Sequence, residues 1–538
     1  MPFSVSRRDA VLTLLGASCF YLITALVSDS RLASPALLQN PGISGASVGD
    51  LLNSGPLPAK KTIDLGLVED FPETTVISHA PGWTLFTNLY MHAGALIILT
   101  SEPASSFPLP PMMTSTGLPG NLTNDAQRIP TENDMAFVTP AQARKWWGGG
   151  NERHRVLTVE GTTALFNDPP QFLNHYFHFV AELMFGTWAF LYGAFADEKL
   201  SKPASATPDA SFTLPLLSTN TPIISRAIFI HSDVDGWRDG PGFNGYFMRA
   251  VFPSITIEVK KDWIDRINAT SPTNTHIGRA WHFPLALLTD RSAAFRGPIT
   301  GAHTQRTAAQ PWMRMAKQGK IDLIGNWWAS LRSALTRYAG GDPTERMSAE
   351  LEVPDTIVIT YIDRQGTRRH LRDADNLALL KAMEELVKRK NVEDDGKRKW
   401  EFHDVHAERL SLDEQVQVAS RTTIMLGVHG NGLTHLVLMK PTKVSAVVEI
   451  FLPGGFARDY EWTSRSLGMT HYSIWNDTSF THPHEPEIPD YPDGFHGPNI
   501  PVHAPTVVKV IEEHVAMRMR GPSLPDNSPV NDTYADEI

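Results

Sequence analysis

The hydrophobic rhythm of the chain changes several times, and each change predicts a different element. Ala10 to Val27 holds eighteen positions without a charge, just long enough to span a bilayer as a helix. Arg7 and Arg8 precede this stretch, so the positive-inside rule keeps residues 1–9 cytosolic and sends the chain beyond Val27 to the other side, as a signal anchor does. A cleaved signal peptide fits less well, because the apolar stretch is long and no Ala-x-Ala site follows it. Residues 28–62 are rich in Ser, Gly, Pro and Leu without helical period and read as a stem or linker. The folded part is expected from Ile63. Thr84–Tyr90 and Ala95–Leu99 look like strands, with a loop around Ser105–Pro111. Residues 174–196 are apolar almost all round, which predicts a buried helix.

From about Val353 the pattern alternates regularly. Thr356–Tyr361 predicts a strand, 374–390 a helix, Trp400–Val405 a strand, and Ser411 with Glu414 a capping box that opens a helix through Ala419. Thr423–Val428 and Ser445–Ile450 are further strands, and Thr506–Met519 is a last helix expected to cross the interface between two domains. Repeated strand and helix units predict a parallel, Rossmann-like sheet with its ligand beyond the carboxyl ends of the strands. The expected division is an N-terminal Rossmann-like, acceptor-side domain at 63–350, a nucleotide-binding one at 351–520 and a disordered tail at 521–538.

A few polar residues stand out from this pattern. At 100° per residue His175, His178 and Glu182 fall within an arc of about 60° on the buried helix. Either His178 or Glu182 could take a proton from an attacking hydroxyl. The strand ending at Val428 runs into His429-Gly430-Asn431-Gly432-Leu433, a glycine-punctuated turn suited to a nucleotide diphosphate. The loop after Tyr361 concentrates Arg364, Arg368 and Arg369, whose guanidinium groups match phosphate geometry. Asp233 and Asp235, after the strand Arg226–His231, offer hard oxygen ligands for a divalent metal. The glycine-rich loop with Asn244 suits an acceptor, as does His175. His482-Pro483-His484-Glu485 is expected to be surface loop.

Composition narrows the classes. The chain has 538 residues, 42% apolar and 20% charged, enough for two cores. A net charge of -10 argues against a general nucleic-acid binder. The single cysteine, Cys19, lies in the proposed anchor. Sequons at Asn121, Asn268, Asn476 and Asn531 fit N-glycosylation of a secretory-pathway protein. No Gly-x-Ser-x-Gly elbow points to an α/β-hydrolase.

The helix with His175 to Glu182, the segment around Arg364 and Arg369, and Val428 to Thr434 together resemble glycosyltransferase family 61, in order and approximate spacing, over about residues 170–455. The resemblance implies an α/β fold of the GT-B type, two Rossmann-like domains facing across a cleft, behind an N-terminal transmembrane helix. It also implies an inverting enzyme, anchored in the Golgi or ER membrane as a single-pass type II protein. Its donor would be a UDP-sugar carrying xylose, N-acetylglucosamine or arabinose, and its acceptor a glycan or glycoprotein. Basic residues then serve the leaving diphosphate and no cofactor is required, with a divalent metal left open. Asn431 departs from the family's small residue at that position. Glu449, at a strand end, is expected to contact a ribose or sugar hydroxyl. Two rival readings stand beside this one: a metal-dependent GT-A transferase using Asp233 and Asp235, and a membrane-tethered glycan-binding scaffold that retains the fold without turnover.

Overall fold

The computed structural model describes residues 71–121, 123–148, 155–196, 221–271, 278–298, 307–342, 350–394, 396–486 and 491–521. The expected tail at 1–9, anchor at 10–27 and stem at 28–62, the sequon at Asn531 and all but the first residue of the C-terminal tail lie outside them. No helix among the described residues is long and apolar enough to cross a membrane.

The molecule is mixed α/β with two sheets. In the N-terminal half the strands are β1 (Thr75–Ala80), β2 (Trp83–His92), β3 (Ala95–Leu99), β4 (Met135–Val138), β5 (Val156–Thr158), β6 (Thr162–Phe166), β7 (Ile224–Phe229), β8 (Thr256–Glu258) and β9 (Ala280–Thr289). The sheet runs β4-β3-β2-β9-β6-β7-β8, with β1 on β2 and β5 on β9. It is not the wholly parallel sheet expected of a Rossmann-like half. β1, β2 and β3 are antiparallel, and so are β2 and β9. Two-residue connections enforce the hairpins: Gly82 follows Pro81 at φ +81°, and Ala93-Gly94 carries φ +50° and +99°. β9-β6-β7-β8 forms a parallel run, and β4 on β3 and β5 on β9 are parallel as well.

The C-terminal half follows the predicted alternation closely. Its strands are β10 (Thr356–Ile362), β11 (Lys399–Val405), β12 (Ile424–Val428), β13 (Ala446–Ile450), β14 (Thr470–Trp475) and β15 (Thr478–Thr481). They lie in the order β11-β10-β12-β13-β14-β15, parallel up to an antiparallel β15 at the edge. Alternate side chains bury on opposite faces, as a covered parallel sheet requires. Ile357, Ile359, Leu426 and Val448 belong to one core, while Ile362, Met425 and Val447 point to the other.

The helices that matter for the site can be named in chain order. A π-helical segment, Phe177–Met184, runs into α1 (Phe185–Phe195). Beyond it lie α2 (Asn326–Tyr338), α3 (Asp373–Glu393), α4 (Leu412–Arg421), α5 (Asp459–Ser466) and α6 (Ala504–Arg520). The capping box that opens α4 is present, with Ser411 Oγ accepting from Glu414 N and the Glu414 carboxylate accepting from Ser411 N.

One apolar core joins the halves, running from Trp83 and Phe166 through Trp327 and Trp328 to Leu436, Val447 and Tyr460. The indoles at the centre of it satisfy their N–H groups: Trp327 donates to Ser466 O at 3.2 Å and Trp328 to Val437 O at 2.9 Å. The expectation that the last helix bridges two domains is corrected. α6 lies on the C-terminal sheet's own outer face beside α3, where His514 meets Tyr472 and Val444, and Glu512 pairs with Arg389 at 2.7 Å.

Candidate active site

The strand order fixes where a ligand can enter. From β10 the chain moves to one side to make β11 and then to the other side to make β12, so a crevice opens beyond the carboxyl ends of β10 and β12. Arg364 lies just past the end of β10 and His429 just past the end of β12. Arg364 Nη1 and Arg369 Nη1 both donate to the His429 carbonyl, at 2.8 and 2.9 Å. Burial pushes both guanidinium groups below the ordinary arginine range, and nearby arginine charge pushes the same way. Neither has a carboxylate partner among the described residues, so the pair is arranged to receive an anion.

The glycines of this turn act by close packing. Gly430 holds φ +148°, and a Cβ there would run into the Arg364 guanidinium. At Gly432 a Cβ would meet Ile362 Cγ2 at 2.8 Å. The turn enters a 3₁₀ helix, Asn431–Leu438, instead of an α-helix. Asn431 Oδ1 accepts from Phe177 N at 3.2 Å and Thr434 Oγ1 at 3.2 Å, so this side chain straps the turn to the N-terminal half.

The opposite wall comes from the π-helical segment. His178 Nδ1 and Glu182 Oε2 are 2.6 Å apart. Glu182 Oε2 also accepts from Arg291 Nη1 at 2.8 Å, and its Oε1 accepts from Thr307 Oγ1 at 3.3 Å. Arg291 Nε in turn reaches Asp168 Oδ1 at 2.7 Å. Burial alone would raise the Glu182 carboxyl, but His178 and Arg291 outweigh it and hold it below the usual range. His178 Nε2 meets no protein group among the described residues, and its side chain is 29% exposed. The His175 ring lies 4.9 Å from that of His178. Burial holds His175 down to about 4, so it is neutral at physiological pH.

Several expected site residues lie elsewhere. His429 does line the cavity, but its imidazole is held from behind, with Nδ1 2.5 Å from Glu449 Oε1, while Glu449 Oε2 lies 2.8 Å from His471 Nε2. Glu449 is wholly buried, so the expected ribose or sugar contact is corrected: both of its oxygens are already engaged. Leu433 is core. Asn244 is buried, with Nδ2 donating to Leu173 O and Trp237 O, and cannot reach an acceptor. Asp233 and Asp235 are exposed on the turn after β7 and do not line the crevice. His482 and Glu485 are not surface loop, because Glu461 and Arg465 pack against them in a buried charged cluster. That cluster and Asp363, Asp404 and His406 bring three ligating groups together among the described residues. Neither lines the crevice. The sequon residues Asn121 and Asn268 are exposed, and Asn476 is partly so.

Other residues enter the site that the sequence reading missed: Asp168, Arg291, Asp459, Tyr460, Tyr491 and His496. Asp168 and Arg291 carried a signal, since each follows closely on an apolar strand and Phe166 pairs with Thr289 in register. Asp459 and Tyr460 open a helix after the Pro453-Gly454-Gly455 turn that follows β13, with Gly454 at φ +86°, a signal that the sequence reading did not use.

Together these residues enclose a cavity of about 740 Å³ between the two walls. His178, Glu182 and Arg291 line one side, and Arg364, Arg368, Arg369 and Gly430 the other. No curated protein matches the chain. The family model described as Glycosyltransferase 61 matches residues 176–447, half of the chain. With the His178–Glu182 pair, Arg291 and the arginine-held turn all inside that matched half, the chain belongs to glycosyltransferase family 61 and is a glycosyltransferase.

Proposed function

We propose that the protein is an inverting glycosyltransferase of the GT-B type that moves a sugar from a UDP-sugar to a hydroxyl of a glycan or glycoprotein. One observation carries this reading: the His178–Glu182 pair and the Arg364–Arg369 pair face the same cavity from opposite walls. His178 is the base. Its Nε2 is open to the cavity, whereas Glu182 has both oxygens engaged and serves to orient the ring, with Arg291 and Asp168 behind it. The acceptor hydroxyl gives its proton to His178 Nε2 as its oxygen bonds to the anomeric carbon. The bond from that carbon to the diphosphate breaks on the far side, which inverts the configuration. The departing charge goes to Arg364, Arg368 and Arg369. These guanidinium groups supply the neutralisation a divalent ion would otherwise provide, so turnover is metal-independent in this reading. The uncharged stretch Ala10–Val27 supports a type II anchor in the Golgi or ER membrane.

The test is nucleotide release by the full-length chain from UDP-xylose, UDP-N-acetylglucosamine and UDP-arabinofuranose, with and without chelator. Release is expected to resist chelator. It should fall by about 10²- to 10⁴-fold in His178→Ala and also drop sharply in Arg364→Ala. Folded protein that binds glycan and releases nucleotide from none of the three donors would favour the scaffold reading. Activity abolished by chelator would favour a metal-dependent enzyme.

A further inference from the structure

Four carboxylates line the cavity: Asp125, Asp168, Glu182 and Asp459. Three have partners. Asp125 pairs with Arg128 at 3.4 Å, Asp168 with Arg291 at 2.7 Å, and Glu182 with His178 and Arg291. The Asp459 carboxylate makes no hydrogen bond or ion pair to any described residue, although it is half-buried at the start of α5. Leaving a carboxylate in such a place without a partner is costly unless something else occupies its lone pairs. Burial pushes its carboxyl up to about 7; the charge of Glu182 pushes the same way, and His178 and Arg369 oppose it.

Those neighbours also locate Asp459. It feels His178 and Glu182 from one wall and Arg369 from the other, and it shares a smaller recess with Phe177 and Glu182. In an in-line displacement the transferred sugar ring lies between the base and the leaving diphosphate. A carboxyl group in that interval can accept hydrogen bonds from hydroxyl groups in either protonation state, and when ionised it only accepts. Asp459 also lies beyond the residues 176–447 that the family model matches. Resting on the transferase reading above, we infer that Asp459 binds hydroxyls of the transferred sugar and so selects a donor with free hydroxyls on that side of its ring.

The experiment is calorimetric titration of the full-length wild type, Asp459→Ala and Asp459→Asn with UDP and with each of UDP-xylose, UDP-N-acetylglucosamine and UDP-arabinofuranose, in chelator and again in Mg²⁺. UDP lacks the transferred sugar, so its affinity reports folding and the uridine and diphosphate sites alone. Asp459→Ala is expected to bind UDP within about twofold of wild type and the preferred UDP-sugar about tenfold to a hundredfold more weakly. Asp459→Asn keeps one acceptor oxygen and should fall between. Equal losses for UDP and UDP-sugar, or unchanged affinities with slowed turnover, would overturn the inference. So would a difference seen only with Mg²⁺, which would make Asp459 a metal ligand. If Asp459→Ala does not fold, Asp459→Asn decides by the same ratio. Wild type that binds neither UDP nor any UDP-sugar would overturn the transferase reading itself.

Discussion

The histidines show how one residue type is put to different uses by burial alone. His178 keeps one nitrogen open to the cavity, whereas His435, His471 and His514 are enclosed, and burial holds each of them down to about 4. In the unfolded chain a histidine titrates near 6.5. Between those values the unfolded state binds more protons, so this stabilisation is complete above about 6.5 and drains away as pH falls toward 4. The urea midpoint should therefore be lower at pH 5 than at pH 7, and His514→Gln should flatten that dependence. A midpoint that stays level or rises on acidification would refute the assignment. The pairing of His178 with Glu182 was legible because residues four apart meet on a helix, and it survives the change to π-helical spacing. The fate of His429 was not legible. Its position after a strand and before two glycines marks a binding turn, but only the neighbouring strands reveal that Glu449 and His471 hold its ring and leave its carbonyl to face the arginines.

At the scale of elements, local chemistry was a good guide wherever the signal was carried by the backbone. Ser411 and Glu414 form the capping box their spacing implied. Replacing Ser411 with Ala should cost about 1 kcal/mol of stability, read by thermal or urea unfolding, with nucleotide release unchanged because α4 does not line the cavity. A loss of activity without loss of stability would show that this helix does more than support the sheet. The two-residue turns Pro81-Gly82 and Ala93-Gly94 suffice to make β1, β2 and β3 antiparallel, whereas the further antiparallel pairing of β9 with β2 joins segments distant along the chain and appears only in the fold. The π-helical segment had no sequence mark, since an apolar stretch with embedded His and Glu reads the same at either pitch.

For the whole molecule the decisive feature is the apolar joint between the sheets, where Trp327 and Trp328 are both fully buried. A shared core predicts that both halves unfold together, with tryptophan fluorescence and far-ultraviolet dichroism giving coincident transitions. Trp328→Ala should cost about 3–5 kcal/mol and lower both probes in step. Two separated transitions would mean that the halves are independent. The joint also makes the cavity, because Asn431 on one side bonds to Phe177 N on the other and thereby sets the base opposite the arginines. The sequence by itself determined the strand and helix alternation of the C-terminal half, the phosphate-suited turn and the His–Glu stripe, since each depends on contacts within a few residues along the chain. Tertiary structure decided which wall each group occupies, brought Asp168, Arg291 and Asp459 to the cavity, and withdrew Glu449 and Asn244 from it. Those outcomes depend on strand order and on the packing of distant segments, which determine what a side chain meets once the backbone has brought it there.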